Sequence, residues 1–189
     1  THLHHFFTPR ELLCVALLLK RINGIQNASL RHPLLFALTA CLPYASRMRR
    51  FRADRKGGGP LSGTLYVGSL ITPPNVLNSF LRNAETISSS LSYQRSSQRG
   101  NFISTQSATA LPNFSSNCID YIFVDPPFGN NFDYSELNFF WEAILGIVTS
   151  QTTEAIVSTS QVKALDDYRL LLTNAFKEFF RVLKPGRWM

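Results

Sequence analysis

Residues 121–129 read Tyr-Ile-Phe-Val-Asp-Pro-Pro-Phe-Gly, and this stretch decides the fold that we predict for the chain. The segment 121–124 is entirely apolar, which is typical of a strand buried on both faces of a parallel sheet. The acidic loop 125–129 would then lie beyond the carboxyl end of that strand, where ligands bind in open α/β sheets. The stretch therefore predicts a buried strand with a binding site directly after it.

Strands and helices are predicted to alternate in the rest of the carboxyl-terminal half. The pattern predicts strands at 102–104 and 121–124 and helices at 137–147 and 165–183, after which Pro185-Gly186 turns the chain into a strand that has barely begun. The last helix carries one stripe that should pack on a sheet, formed by Tyr168, Leu171, Leu172, Ala175, Phe179 and Leu183. Alternation of this kind predicts an α/β fold with a doubly wound sheet.

The amino-terminal part is predicted to be helical. Thr8 and Glu11 have the spacing of a capping box, so a helix should begin at Pro9 and end near Asn23-Gly24. A second helix is predicted from about Pro33 to Arg50, with a kink at Pro43. We expect the three histidines at 2, 4 and 5 to lie in a disordered terminus and expect no metal site.

Weaker signals follow this helical part. A short strand is predicted at 65–67, a helix at 75–87, and a mobile loop at 88–100, which is rich in Ser and Gln. The predicted organisation is therefore a helical segment with a basic end at 1–60, followed by an α/β domain at 61–189.

The charge balance favours a polyanionic partner. The chain has a formal net charge of +7, and residues 47–56 contain six cations and one acid. Arg49, Arg50 and Arg52 are therefore candidate nucleic-acid contacts. A solvated helix end, where cations are favoured by the helix dipole, explains the same run equally well.

Other features bound the setting of the chain. Its three cysteines are odd in number and widely spaced, and no apolar run is long enough to cross a bilayer or to act as a signal peptide. We therefore expect a cytoplasmic protein with no membrane partner. Because the chain opens at Thr1 and stops just after a strand begins, we also expect a fragment whose partners include the remainder of a longer polypeptide. Exposed sheet edges would allow pairing with a second copy.

The loop after the strand has the residues needed to activate an exocyclic base amine. Such an amine is a poor nucleophile because its lone pair is delocalised into the ring. The Asp125 carboxylate and the Pro126 carbonyl could each accept one amine hydrogen, while Pro126 and Pro127 stiffen the loop. Phe128 would stack on a base extruded from the duplex. The alternative reading of the same residues is a tight turn with an Asp cap.

Two motifs in this order resemble class I methyltransferases. They are the segment 101–128, with a small-residue turn at Gln106-Ser107-Ala108, and the segment 182–186, which reads Val-Leu-Lys-Pro-Gly. The runs 133–141, 7–13 and 63–66 resemble bacterial DNA methylases of the amino-methylating family, with an Asp-Pro-Pro-Phe motif. The resemblance covers most of the chain except the Ser-rich segment.

The resemblance implies a partial Rossmann-like sheet and methyl transfer from S-adenosyl-L-methionine to an adenine or cytosine amino group, as in restriction-modification systems. It also implies that Ser107, Ala108 and Asp125 contact the cofactor and that Phe128 contacts the base. Tyr134 is a further candidate for the base pocket, and a core position is the alternative, because aromatic residues at helical spacing are more often buried. The sequence departs from the family in two places. The glycines at 57–59 follow a basic helix rather than a strand, and Ser107 stands where the fold often has an acidic residue.

Two other functions fit parts of the sequence. An RNA or tRNA guanine amino-methyltransferase would use a similar Asp-Pro-Pro-aromatic loop, because the amine chemistry is the same. A non-catalytic DNA-binding or specificity module would explain the basic run without requiring a cofactor loop. A comparison of methyl incorporation into DNA and into structured RNA distinguishes the first alternative from a DNA methylase. Titration with the methyl donor distinguishes the second, which would not bind it.

Overall fold

The computed structural model shows a chain of mixed helix and strand that divides into two compact units. The first unit comprises Thr1–Gly100 and Phe139–Val148, and the second comprises Asn101–Asn138 and Thr149–Met189. This division differs from the predicted one after residue 60, since the third helix groups with the two helices before it. The structure describes residues 2–53, 58–72, 75–94, 101–130 and 132–189.

The first helix of unit 1 confirms its predicted boundaries. α1 spans Pro9–Asn23, and Thr8 is its N-cap. The Glu11 amide donates to Thr8 Oγ1 (3.4 Å), and the Thr8 amide donates to Glu11 Oε2 (3.1 Å), so the capping box is complete. The helix ends at Gly24, whose amide donates to the Lys20 carbonyl.

The second helix is displaced from its predicted position. α2 spans Ala28–Cys41 and begins where the Asn27 side chain accepts a hydrogen bond from the Ser29 amide, so Pro33 lies inside the helix. The predicted continuation to Arg50 with a kink at Pro43 is wrong. Pro43 lacks the amide that would donate to the Thr39 carbonyl, and that carbonyl instead accepts from the Leu42 amide (3.3 Å) and from Trp141 Nε1 (3.2 Å).

The third helix is longer than predicted. α3 spans Val76–Gln94, so the expected mobile loop is wrong for residues 88–94, and residues 95–100 of that prediction lie outside the described residues. Ser89, Ser90 and Ser92 donate from their hydroxyls to backbone carbonyls in the preceding turn, at 2.8–3.0 Å. These bonds satisfy the serine side chains within the helix, and so serine content alone did not end it.

The core of unit 1 forms around Phe140, which is fully buried. This residue belongs to α4, Tyr134–Leu145, which begins earlier than predicted. Its ring packs edge-on against Phe6 (5.5 Å) and stacks on Phe7 (5.6 Å). The prediction of a disordered terminus is therefore wrong, because Leu3–Phe6 forms a 3-10 turn and the two phenylalanines are buried.

The segment between α2 and α3 contains no strand at the predicted position, within the residues that the structure describes. Residues 65–67 belong to no regular element, and the Tyr66 amide donates to Thr64 Oγ1 (3.4 Å) rather than to another strand. Pairing occurs instead at an isolated antiparallel bridge between Arg50 and Ile71. Three apolar residues predicted a strand, but a strand also requires a partner backbone at the right position.

Unit 2 is built on a two-stranded parallel sheet. β1 spans Ile119–Tyr121 and β2 spans Leu183–Trp188, with Ile119 opposite Leu183 and Tyr121 opposite Trp188. The register shift between these pairs places extra residues in β2. Pro185 cannot donate to the ladder, and Gly186 has a φ of 70°. This dipeptide lies within the bulged strand, whereas the sequence had predicted a turn before the strand.

The strand predicted at 121–124 is displaced and more exposed than expected. The ladder is bracketed by the Cys118 amide, which donates to the Val182 carbonyl (2.8 Å), and by the Ile122 amide, which donates to the Trp188 carbonyl (3.2 Å). Residues 122–124 therefore lie at and beyond the end of β1. Phe123 is 84% exposed, because the described sheet has only two strands and leaves its side chain uncovered.

The helix before β2 agrees with prediction. α5 spans Leu165–Val182, and the six residues of its predicted stripe are all buried or half-buried. The predicted strand at 102–104 is wrong, because these residues make no backbone pairing and Ile103 is almost fully exposed. No helix in the described parts of the chain is both long and apolar enough to cross a membrane.

Candidate functional site

The loop 122–130 begins where the sheet of unit 2 ends. Because β1 and β2 are parallel and the Ile122 amide reaches the Trp188 carbonyl, the carboxyl ends of both strands lie at the same edge. Asp125 follows this edge directly. Its carboxylate is exposed, and within the described part of the chain it has no hydrogen-bond or ion-pair partner. The carboxylate can therefore accept hydrogen bonds from a ligand without first breaking a contact.

The loop is bound to the rest of unit 2 at two carbonyls. Tyr168 Oη, on α5, donates to the Pro127 carbonyl (2.7 Å), and the Val157 amide donates to the Gly129 carbonyl (3.3 Å). Gly129 has a φ of 58°, a conformation that glycine adopts at little cost. These bonds flank Phe128, whose ring is 68% exposed. The loop therefore presents an open aromatic face on a backbone that is fixed on both sides.

Sequence reasoning missed the role of Tyr168, which had been assigned only to the apolar stripe of α5. A signal was present, because a tyrosine in an otherwise apolar stripe places a hydroxyl where it usually needs a partner. The identity of that partner was not predictable, since Pro127 lies far away in the sequence.

Behind the loop, a carboxylate caps the start of α4. Glu154 Oε1 accepts from the Ser135 amide (2.9 Å), and Glu154 Oε2 accepts from Gln161 Nε2 (2.8 Å). Burial alone would raise the pKa of Glu154. The hydrogen bonds from Ser135 and Gln161 and the charge of Lys163 outweigh it and lower that pKa. Glu154 is therefore a charged group that stabilises a helix N-terminus.

The same region binds the segment 149–164 to the residues that follow the loop. Lys163 Nζ donates to the carbonyls of Gln151 and Glu154. Asp133 Oδ2 accepts from Ser158 Oγ (3.0 Å), and Asp133 also provides the carbonyl to which the Leu137 amide donates. None of these residues was singled out from the sequence. Together they fix the chain on the carboxyl side of the Asp125 loop.

The turn proposed for the cofactor is formed, but its polar group is occupied. Residues 108 and 109 form a turn, and the Ala110 amide lies 3.4 Å from the Ser107 carbonyl. Ser107 Oγ is 2.8 Å from Thr109 Oγ1, while Ala108 is exposed. No hydrogen bond among the described residues joins this turn to Asp125. The three predicted cofactor contacts therefore remain a prediction.

An ion pair on α5 holds the connection that follows this turn. Arg181 donates to the carbonyls of Phe114 (2.9 Å) and Leu111 (3.0 Å), and Glu178 Oε2 accepts from the Leu111 amide (2.9 Å). The hydrogen bonds from Arg181, together with that of the Leu111 amide, lower the pKa of Glu178 to about 2. The pair fixes residues 111–114 against α5.

The remaining predicted contacts are placed as follows. Tyr134 is the first residue of α4 and is partly exposed, with its ring 6.1 Å from that of Phe132. Arg49 and Arg50 are half-buried and Arg52 is exposed, all within unit 1, while residues 54–56 of the basic run lie outside the described residues. In the described parts of the chain, the surface cavities beside Leu17 (about 530 Å³) and beside Leu34 (about 270 Å³) contain no residue of the Asp125 loop.

Comparison with known proteins does not add a family. No protein-family model, no curated protein and no solved structure matches the chain.

Proposed function

We propose that the chain belongs to a DNA amino-methyltransferase, which transfers a methyl group from S-adenosyl-L-methionine to an exocyclic amine of adenine or cytosine. One observation carries the proposal: an exposed Asp125 carboxylate that has no partner among the described residues, on a loop that Tyr168 fixes at the carboxyl end of a parallel strand. The mixed fold of unit 2 is compatible with part of a class I, Rossmann-like sheet, and that finer assignment is part of the proposal.

The loop would activate the amine through two hydrogen-bond acceptors. The Asp125 carboxylate and the Pro126 carbonyl each accept one N–H, which favours the tetrahedral nitrogen whose lone pair can attack. A nitrogen that gains a methyl group must also lose a proton, and the carboxylate is the nearest acceptor on this loop. The exposed ring of Phe128 provides a face on which the extruded base can stack.

The residues that the structure describes do not form a binding loop for the methyl donor. No described strand is followed by a glycine-rich turn, and Gly59 lies against the ring of Tyr44, which a Cβ there would meet at 3.3 Å. Ser107 Oγ is already paired with Thr109. S-adenosyl-L-methionine is therefore proposed on the resemblance alone, and the residue roles are confined to the amine and the base.

The test is methyl transfer by the full-length protein, with labelled S-adenosyl-L-methionine and duplex DNA. We expect Asp125→Asn to lower kcat by about 100-fold or more, because a positioned general base contributes about 100- to 10000-fold. Asp166→Asn is the matched control, since Asp166 lies on the surface of α5 and pairs only with Arg169. Equal transfer by wild type and Asp125→Asn would refute the role of Asp125.

Two outcomes would support the alternative functions. Faster methylation of structured RNA than of DNA would favour a guanine amino-methyltransferase. DNA binding without any methyl transfer would favour a non-catalytic binding module, an alternative supported by the missing donor loop.

A further inference from the structure

Two tyrosines in unit 1 lie near Arg50, each beside a glycine. A Cβ on Gly59 would be 3.3 Å from Tyr44 Cε1, and the Gly59 carbonyl accepts from Arg50 Nε (3.2 Å). A Cβ on Gly68 would be 3.6 Å from Arg50 Cγ and 3.8 Å from Tyr66 Cε1. Both tyrosines are half-exposed. We refer to Tyr44, Arg50 and Tyr66 as the tyrosine–arginine surface.

The backbone holds Arg50 in a fixed position within this surface. Arg50 bridges to Ile71, and its Nε donates to the Gly59 carbonyl (3.2 Å). Gly58 has a φ of 143°, and a Cβ there would approach the Arg50 carbonyl oxygen to 2.2 Å. Only glycine allows this close approach. The guanidinium is therefore directed before any ligand arrives, which lowers the entropy lost on binding.

The charge of this segment suits a polyanion. Its described residues, 43–53 and 58–72, contain four arginines, at 47, 49, 50 and 52, and no acid. A guanidinium carries several N–H donors in one plane, and the bond from Nε to Gly59 uses one of them. Cations that flank exposed aromatic rings are typical of surfaces that bind phosphates and stack bases.

We propose that the tyrosine–arginine surface binds an unpaired DNA strand, with Arg50 on a phosphate and the two tyrosine rings on neighbouring bases. An unpaired strand fits better than a duplex, because the faces of paired bases are covered by their neighbours and cannot stack on a side chain. The choice of DNA over RNA rests on the proposed function. The binding itself requires no methyl transfer, and it gives the aromatic residues of this segment a role that the sequence had not suggested.

The test is fluorescence anisotropy with the full-length protein and no methyl donor. The probes are a fluorescein-labelled DNA strand of about 12 nucleotides, the same strand in a duplex, and the RNA strand of the same sequence. We expect Tyr44→Leu and Tyr66→Leu each to weaken single-strand binding by about 5- to 150-fold, the range for one stacked base. Binding of the duplex should change less. Arg50→Gln should reduce the salt dependence by about 0.7 in log–log slope, as for one phosphate contact.

The controls separate stacking from a general effect on folding. Tyr66→Phe keeps the ring and should retain binding, and Phe36→Leu removes a more exposed ring from α2 and should leave binding unchanged. The proposal is overturned if the leucine variants bind like Phe36→Leu, if Tyr66→Phe loses binding, or if the duplex or the RNA binds more tightly than the DNA strand. Single-strand binding that persists when methyl transfer is absent would refute only the enzymatic proposal.

Discussion

Removal of one hydroxyl from α5 should loosen the Asp125 loop. Tyr168→Phe keeps the ring that packs along the helix and removes only the donor to the Pro127 carbonyl, at 2.7 Å. A net intramolecular hydrogen bond contributes about 0.5 to 1.5 kcal/mol. The Pro127 carbonyl is only half-buried, so water can replace part of the lost bond and we expect a value near 1 kcal/mol, in the middle of that range.

The predicted assay is amide hydrogen exchange at Val157, whose amide donates to the Gly129 carbonyl (3.3 Å) and is protected while the loop is in place. A loss of about 1 kcal/mol corresponds to about a 5-fold change in an equilibrium, so exchange at this amide should accelerate by about 5-fold if the loop opens locally. Exchange in the core of α5 should accelerate less, because the variant leaves the helix backbone intact.

The matched control is Tyr121→Phe. Tyr121 Oη makes no hydrogen bond within the described part of the chain, so this variant removes a hydroxyl from unit 2 without removing a contact. Unchanged exchange at Val157 in Tyr168→Phe, or equal acceleration in both variants, would show that the hydroxyl does not fix the loop.

Three further predictions concern the surroundings of the loop. Glu154→Gln should lower the free energy of unfolding by about 1 to 2 kcal/mol at pH 7, as expected for hydrogen bonds to a charged group. The pKa of Glu154 is lower in the folded than in the unfolded state, so the extra stability of the wild type is present above the unfolded pKa and is lost as the pH falls through the folded pKa. Urea titrations in which the two proteins differ in stability by the same amount at every pH would contradict this. Gly129→Ala should lower the free energy of unfolding by about 1 kcal/mol, because a side chain is disfavoured at the φ of 58°. A Cβ there meets no atom within 4 Å, so the cost comes from the backbone and not from a clash. Gly129→Asn should cost less, and equal thermal midpoints for the two variants would argue against backbone strain. Arg181→Lys should accelerate exchange of the Leu111 amide, because lysine retains the charge but not the planar donors that reach two carbonyls, and a wild-type exchange rate would show that charge alone is sufficient.

The features predicted correctly from the sequence are those that depend on neighbours in the chain. The capping box joins Thr8 to Glu11 within one turn, and the stripe of α5 repeats with the period of the helix. Both can be read from residue types at fixed short spacing. The predicted bounds of α2 were wrong because two local signals, at Asn27 and at Pro33, both indicate a helix start. The Asn27 cap determines the start, and Pro33 is accommodated inside the helix.

Strands were predicted less well because pairing is not local. The segments 65–67, 102–104 and 121–124 all have strand composition, yet the described sheet joins residue 119 to 183, and the described isolated bridges join residue 50 to 71 and residue 158 to 163. Composition indicates that a segment can be extended, whereas the partner and the register depend on the rest of the fold. In β2 the register also depends on the bulge at Pro185-Gly186.

In the candidate site, too, local features were predicted and contacts between distant residues were not. The motif itself predicted that Asp125 follows a strand and that Phe128 is available to a ligand, and the structure leaves both side chains exposed. The contacts that fix the motif come from elsewhere. Tyr168 reaches the loop from α5, and Glu154 caps α4 from the segment that follows it, so neither contact has a signature within the motif.

These distant contacts explain how a loop with two prolines can be rigid without being buried. Pro126 and Pro127 restrict the backbone but remove two amide donors, so the loop cannot be held by its own hydrogen bonds in that stretch. It is held through its carbonyls, by the hydroxyl of Tyr168 and the amide of Val157, and both contacts leave the Asp125 carboxylate open to solvent. A group that must accept a proton from a ligand needs this combination of fixed position and free lone pairs. The stiffness of the loop thus comes from the motif, while its position comes from α5 and the segment 149–164.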